Sequence, residues 1–157
     1  MTGFEGLAVR HDWNKASDRD WADVLAALPL FEGVGKRDLR KLAREAQFAE
    51  FSPGDTVVAT GAPSHFFYVI LGGDAKATAK PAGRTLTTGD YFGEMGLLEG
   101  QPRSASVVAI TDLHVMRLPQ RTFDEAIARH PRLARTLLME LSGRIRQLEH
   151  QAARRTA

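Results

Sequence analysis

The chain of 157 residues has no cysteine. That excludes disulfides, thiolate metal clusters and any cysteine-ligated haem or iron–sulfur centre, so stability has to come from a packed core. No run of about 18 apolar residues is present to cross a bilayer. Nor does the N-terminus show a basic stretch leading into an apolar one, the mark of an export signal. These absences predict a cytoplasmic protein with no membrane partner. A dominant charge sign is missing too: 21 lysines and arginines face 19 acidic residues, a formal net charge of +2. That balance gives no argument for nucleic acid. Five histidines (His11, His65, His114, His130, His150) are scattered with no pair at metal-ligand spacing. No serine sits in a nucleophile elbow, and no Walker-type phosphate loop occurs. Neither a metal, nor a cofactor, nor a catalytic residue is expected.

What is present suits one globular domain, with 43% hydrophobic and 25% charged residues. Residues 1–16 carry Phe4, Leu7, Val9 and Trp13 without a clean period and read as an N-terminal arm that packs on the domain or a partner. The remaining domain spans 17–157. Ser17 and Asp20 form an N-terminal capping pair ahead of Trp21, Val24, Leu25 and Leu28 at helical spacing, and Pro29 stops that helix. Lys36 to Gln47 predicts a second helix, with Leu39, Leu42, Ala43 and Ala46 on one side. From Phe48 the period switches to two. Strands are predicted at 48–51, 55–60, 66–71, 75–80, 84–88, 106–110 and 113–118. Ser52-Pro53-Gly54-Asp55 suits a type II turn, and Gly72-Gly73 suits a tight hairpin between the strands it joins. Seven or eight short strands predict a sandwich or a closed roll. Residues 122–129 predict a short helix, and Pro131 opens a longer one reaching 152.

One stretch carries chemistry. Residues 92–106 read FGEMGLLEGQPRSAS. Arg103 offers a planar fork of donors suited to two phosphate oxygens. Ser104 adds a hydroxyl, and the small residues allow backbone N–H groups close to a ligand. Residues 95–99 can form one helical turn whose N-terminal N–H groups favour an anion. Glu94 does not suit phosphate, so its natural partner is a neutral hydroxyl such as a ribose 2′-OH. The stretch therefore predicts a site for a molecule that is both anion and sugar.

Phe92-Gly93-Glu94 followed by Pro102-Arg103-Ser104-Ala105-Ser106 resembles the phosphate-binding cassette of cyclic-nucleotide-binding domains. That family includes the catabolite activator protein and the regulatory subunit of cAMP-dependent protein kinase. The phrase LPLFEGVGKRDLRKLA also resembles the family's helical entry. The resemblance implies a mainly β fold with flanking α-helices. Its centre would be an eight-stranded antiparallel β-roll (48–118), preceded by helices over 17–47 and followed by C-terminal helices over 122–152. It implies that Glu94 holds the ribose 2′-OH and Arg103 the cyclic phosphate. Ser104 and the backbone of Gly93, Met95 and Ala105 would complete the cradle. The implied ligand is cAMP, with cGMP as the alternative, because Ser104 occurs in the cAMP-binding catabolite-activator type. The hydroxyl pair that contacts adenine in that type has no counterpart here, where Leu148, Glu149, Ala152 or Ala153 stand.

Ala134, Leu138, Leu141, Ile145, Leu148 and Ala152 step by four and three residues, a short heptad seam suited to pairing with a second copy. Leu133 and Leu137 lie to one side, where they can pack on the roll. No groove-entering element follows the long helix, so DNA binding is not expected. A cupin-type enzyme needs a close histidine pair, and a cyclic phosphodiesterase needs metal ions or an acid–base set; the sequence has neither. The expectation is a non-enzymatic cyclic-nucleotide sensor that acts on a separate, unidentified protein through its C-terminal helix. The alternative is a ligand-free scaffold of the same fold.

Overall fold

The structure is a computed structural model and describes residues 12–63, 65–78, 83–93 and 105–156. A single 3₁₀ turn, Trp13–Lys15, precedes helix α1 (Asp18–Ala26). The α1 capping box is complete: the Ser17 Oγ accepts from the Asp20 N–H, and the Asp20 Oδ2 accepts from the Ser17 N–H. Aspartate thus does the work usually given to glutamate at this position. The chain leaves α1 before Pro29, which opens a 3₁₀ turn, Pro29–Phe31, instead of only ending a helix. Helix α2 (Lys36–Ala43) follows and buries Leu39, Leu42 and Ala43.

Eight strands come next: β1 (Gln47–Phe51), β2 (Thr56–Val58), β3 (Phe66–Gly72), β4 (Ala75–Thr78), β5 (Arg84–Leu86), β6 (Tyr91–Phe92), β7 (Ser106–Ala109) and β8 (Leu113–Pro119). They form two antiparallel four-stranded sheets, in the orders β1-β8-β3-β6 and β2-β7-β4-β5. Helix α3 (Gln120–Arg129) and helix α4 (Pro131–Thr156) complete the described chain. The eight-stranded antiparallel roll with helices before it and a long helix after it is therefore observed. The two-residue strand β6 escapes a pattern search because two residues cannot display alternation.

The Gly72-Gly73 hairpin is not formed. β3 pairs with β8 and β6 in one sheet, while β4 pairs with β7 and β5 in the other. The diglycine is instead a corner at which the chain changes sheets. It abuts a second corner, Thr111-Asp112, where β7 passes to β8. Asp74 N–H donates to Thr111 Oγ1 at 2.9 Å, and the Ile110 N–H donates to the Asp74 carbonyl at 2.9 Å. Gly73 has φ +92°, and a Cβ there would lie 2.1 Å from the Asp112 carbonyl oxygen. Only glycine satisfies both the left-handed backbone and the close approach. The expected type II turn at 52–55 does form, with Gly54 at φ 89° and the Asp55 N–H donating to the Ser52 carbonyl. Residues 87–90 repeat it, with Gly89 at φ 92° and Asp90 capping the Thr87 N–H at 2.8 Å.

Strand alternation divides the interior in two. Tyr68, Ile70, Leu113 and Val115 of the first sheet meet Ala75, Leu86, Val107 and Ala109 of the second, filling the roll. Phe67, Val69, Leu71, Met116 and Leu118, on the opposite face of the first sheet, meet the helices. Phe67 stacks on Phe123 of α3 with centroids 4.5 Å apart. Trp13 is 6% exposed and stacks on Trp21, so this part of the arm packs on its own domain. Leu133 and Leu137 of α4 join the same helical layer, as their offset from the heptad seam predicts.

Candidate functional site

One end of the roll is where β6 finishes in the first sheet and β7 begins in the second. The sequence joining them contains the FGE…PRSAS stretch. Its two anchors are described. Gly93 follows β6 with φ 98°, a conformation L side chains rarely adopt, which accounts for glycine ahead of Glu94. Ala105 is half-buried just before β7 and shares the alternation of Val107 and Ala109, whose side chains fill the roll. Glu94, Met95, Arg103 and Ser104 lie outside the described residues.

Both anchors are held firmly. Phe92 stacks on Tyr68 across the strand pair, with centroids 4.8 Å apart and planes within 8°. At the other side Ser106 ties three strand ends together. Its Oγ accepts from the Thr60 N–H at 2.9 Å and shares a hydrogen bond with Thr60 Oγ1 at 2.8 Å. Its carbonyl accepts from Thr78 Oγ1 at 3.2 Å. In the sequence Ser106 is only the last small residue of the stretch. Its structural duty depends on Thr60, 46 positions away, and no local signal reveals it.

Two further residues at this end were missed by sequence reasoning. Arg84 alternates with Leu86, which is 1% exposed, so Arg84 belongs to the inner face at the rim of β5. The register Arg84↔Ala77↔Val107 puts it on a row with Val107, two strands or roughly 10 Å away. Strand parity could have found it. Glu140 of α4 is half-buried, and burial raises its pKa, while Arg144 and then Arg84 act in the opposite direction. The long helix therefore passes within electrostatic reach of the rim of β5. Leu148 lies eight residues further on, about 12 Å along the helix, and is 47% exposed. Leu138 and Ile145 of the seam are 67% and 56% exposed.

Chemically, this end of the roll offers backbone N–H groups at glycine and alanine, an apolar wall and a cation at the rim. Among the described residues no group of three or more His, Asp or Glu side chains could hold a metal ion. No described helix is long and apolar enough to cross a membrane.

Comparison with known proteins agrees with this geometry. Residues 48–130 match the model of the cyclic nucleotide-binding domain family. The chain is 33% identical over 112 residues to a cAMP-dependent protein kinase regulatory subunit of Colletotrichum orbiculare, covering 69% of this chain and 29% of that protein. It is 28% identical over 137 residues to a CRP-like cAMP-activated global transcriptional regulator of Mycobacterium tuberculosis, covering 83% of this chain and 61% of that one. Among solved structures, the regulatory domain of Toxoplasma gondii PKA with cAMP superposes with a TM-score of 0.72 at 23% identity, over 80% of this chain and 50% of that one. The class defined by the fold is thus a ligand-binding β-roll with flanking helices. The chain belongs to the cyclic nucleotide-binding domain family, and spans less than two thirds of the relatives it matches.

Proposed function

We propose that the chain is a cAMP sensor. Glu94 takes the ribose 2′-OH, and Arg103 takes the cyclic phosphate. Ser104 and the backbone of Gly93, Met95 and Ala105 close the cradle. The observation that carries this reading is the placement of Gly93 and Ala105. A left-handed glycine follows the last strand of one sheet, and a half-buried alanine precedes β7 of the other, so the FGE…PRSAS stretch connects the two sheets in sequence. Each charge-assisted hydrogen bond to such a ligand contributes about 1.5–3 kcal/mol. The cAMP named for two relatives and for the superposed structure supports adenine over guanine.

Output runs through α4. Its first two turns are anchored by Leu133 and Leu137, Glu140 is half-buried and senses the charges of Arg144 and Arg84, and most of the later residues are exposed. Ligand at the β6–β7 end of the roll draws α4 over it, with a coupling of about 1–3 kcal/mol between site and helix. The exposed seam of Leu138, Ile145 and Leu148 supports pairing with a second copy, whose geometry then reports the ligand to a downstream protein. Isothermal calorimetry with cAMP and cGMP tests the reading. The expected result is one site per chain, cAMP tighter than cGMP, and no binding heat from Arg103→Ala at unchanged melting temperature. If Arg103→Ala still binds cAMP like the parent, the phosphate site is elsewhere.

A further inference from the structure

The helices on the far side of the first sheet carry a feature that ligand binding does not use. α1 and α2 pack side by side and leave an open groove of about 410 Å³, lined by Asp18, Arg19, Arg40 and Arg44. All three arginines are exposed. None of them meets a carboxylate at ion-pair distance among the described residues.

Stability explains only part of this arrangement. Lys36, Arg40 and Arg44 recur every four residues and form one row of like charges, a spacing at which cations repel on a helix. The helix dipole favours cations in a last turn, which accounts for Arg40 and Arg44. It disfavours them in a first turn, where Arg19 of α1 and Lys36 of α2 both sit. The other flank of α2 is different. There Asp38, Lys41 and Glu45 face Arg121, Glu125 and Arg129 across a cleft of about 200 Å³, with the signs interspersed. Three arginines against the single Asp18, with Arg19 kept against the dipole, beside a flank of evenly mixed charge, is the pattern of a binding surface.

The chemistry of the groove selects its occupant. Planar guanidinium forks pair two-pronged with carboxylates. A lipid surface would require apolar side chains to insert, but the exposed large apolar residues are Ile110, Leu138, Met139, Ile145 and Leu148, none of them on α1 or α2. Single-stranded nucleic acid would require an exposed aromatic for stacking, but Trp21 of α1 is buried. We infer that the groove between α1 and α2, through Arg19, Arg40 and Arg44, docks a carboxylate-rich segment of a partner protein. This surface is on the helical layer and not at the β6–β7 end of the roll, so it stands whether or not the cAMP reading does.

The test is fluorescence anisotropy of a labelled glutamate-rich dodecapeptide titrated with the full chain. The triple variant Arg19→Gln, Arg40→Gln, Arg44→Gln should weaken binding about tenfold or more, since three exposed pairs are lost together. A control triple on the exposed end of α4, Arg146→Gln, Arg154→Gln, Arg155→Gln, should bind like the parent. Relief of the like-charge row and loss of the helix-dipole interaction at Arg40 and Arg44 oppose each other, so the melting temperature of the first variant should stay close to the parent's. An equal loss in both triples would mean general charge attraction and overturn the inference. So would a clearly lowered melting temperature, which would make the row structural. Tighter binding of a twelve-nucleotide single strand, or of phosphatidylserine vesicles, than of the peptide would also overturn it.

Discussion

Adjacent leucines on α4 offer a sharp separation of docking from pairing. Leu137 is 2% exposed and packed in the helical layer, whereas Leu138 is 67% exposed on the seam. Leu137→Ala opens a cavity among large side chains and should cost about 2–5 kcal/mol. For a domain of this size each kcal/mol moves the melting temperature by about 2–4 °C, so the drop should be roughly 5–15 °C. Leu138→Ala removes a side chain that touches mostly water and exchanges one good helix former for another, so the monomer should lose almost nothing. In a symmetric α4 pair it removes two buried leucines, at about 1.5–3 kcal/mol each. The dimer should then be at least about a hundredfold weaker in the variant. Circular dichroism melts at low concentration give the first quantity, and sedimentation equilibrium the second. Equal melting losses in both variants, or self-association untouched by Leu138→Ala, would refute the division of labour along α4.

Three further outcomes follow from the geometry. Gly54→Ala and Gly73→Ala both force alanine into a left-handed backbone, at about 1–2 kcal/mol. Nothing lies within 4 Å of a Cβ at Gly54, while one at Gly73 meets the Asp112 carbonyl. Urea unfolding should therefore show Gly73→Ala about 1–3 kcal/mol the worse, and equal losses would mean that the corner yields. Burial raises the Glu140 pKa despite Arg144 and Arg84, so the ionised carboxylate is a net cost to the folded state. That cost is absent below the ordinary glutamate pKa and complete above the raised one. Glu140→Gln should thus stabilise at neutral pH and match the parent in acid, and the reverse pH dependence would refute it. Finally, the buried Tyr91 hydroxyl has no hydrogen-bond partner among the described residues. Tyr91→Phe should raise the urea midpoint, by up to about 1 kcal/mol of stability; a clear loss would indicate a partner.

Helix starts and the glycine turns were legible because each is a short-range rule. The Ser17–Asp20 box, the left-handed glycines at 54 and 89, and the offset of Leu133 and Leu137 from the seam all depend on neighbours within a few residues. The diglycine misled for the same reason. Its local chemistry is that of a hairpin, yet the chain changes sheets there because Asp74 bonds to the corner at Thr111. The strand β6 is recognised only by its pairing to β3, through Tyr68↔Phe92 and Val69↔Tyr91.

The family was already legible in the sequence, and with it the class of ligand proposed for the chain. A glycine, a carboxylate and an arginine among small residues define that chemistry wherever the stretch is held. Only the tertiary structure decided which distant groups share a surface. It pinned Ser106 to Thr60, brought α4 past Arg84, and gathered Arg19 with Arg40 and Arg44. Sheet order and helix packing are set by burial of apolar faces, which is blind to the charges that ride outside them. For that reason the polar neighbourhoods emerge only once the core is assembled.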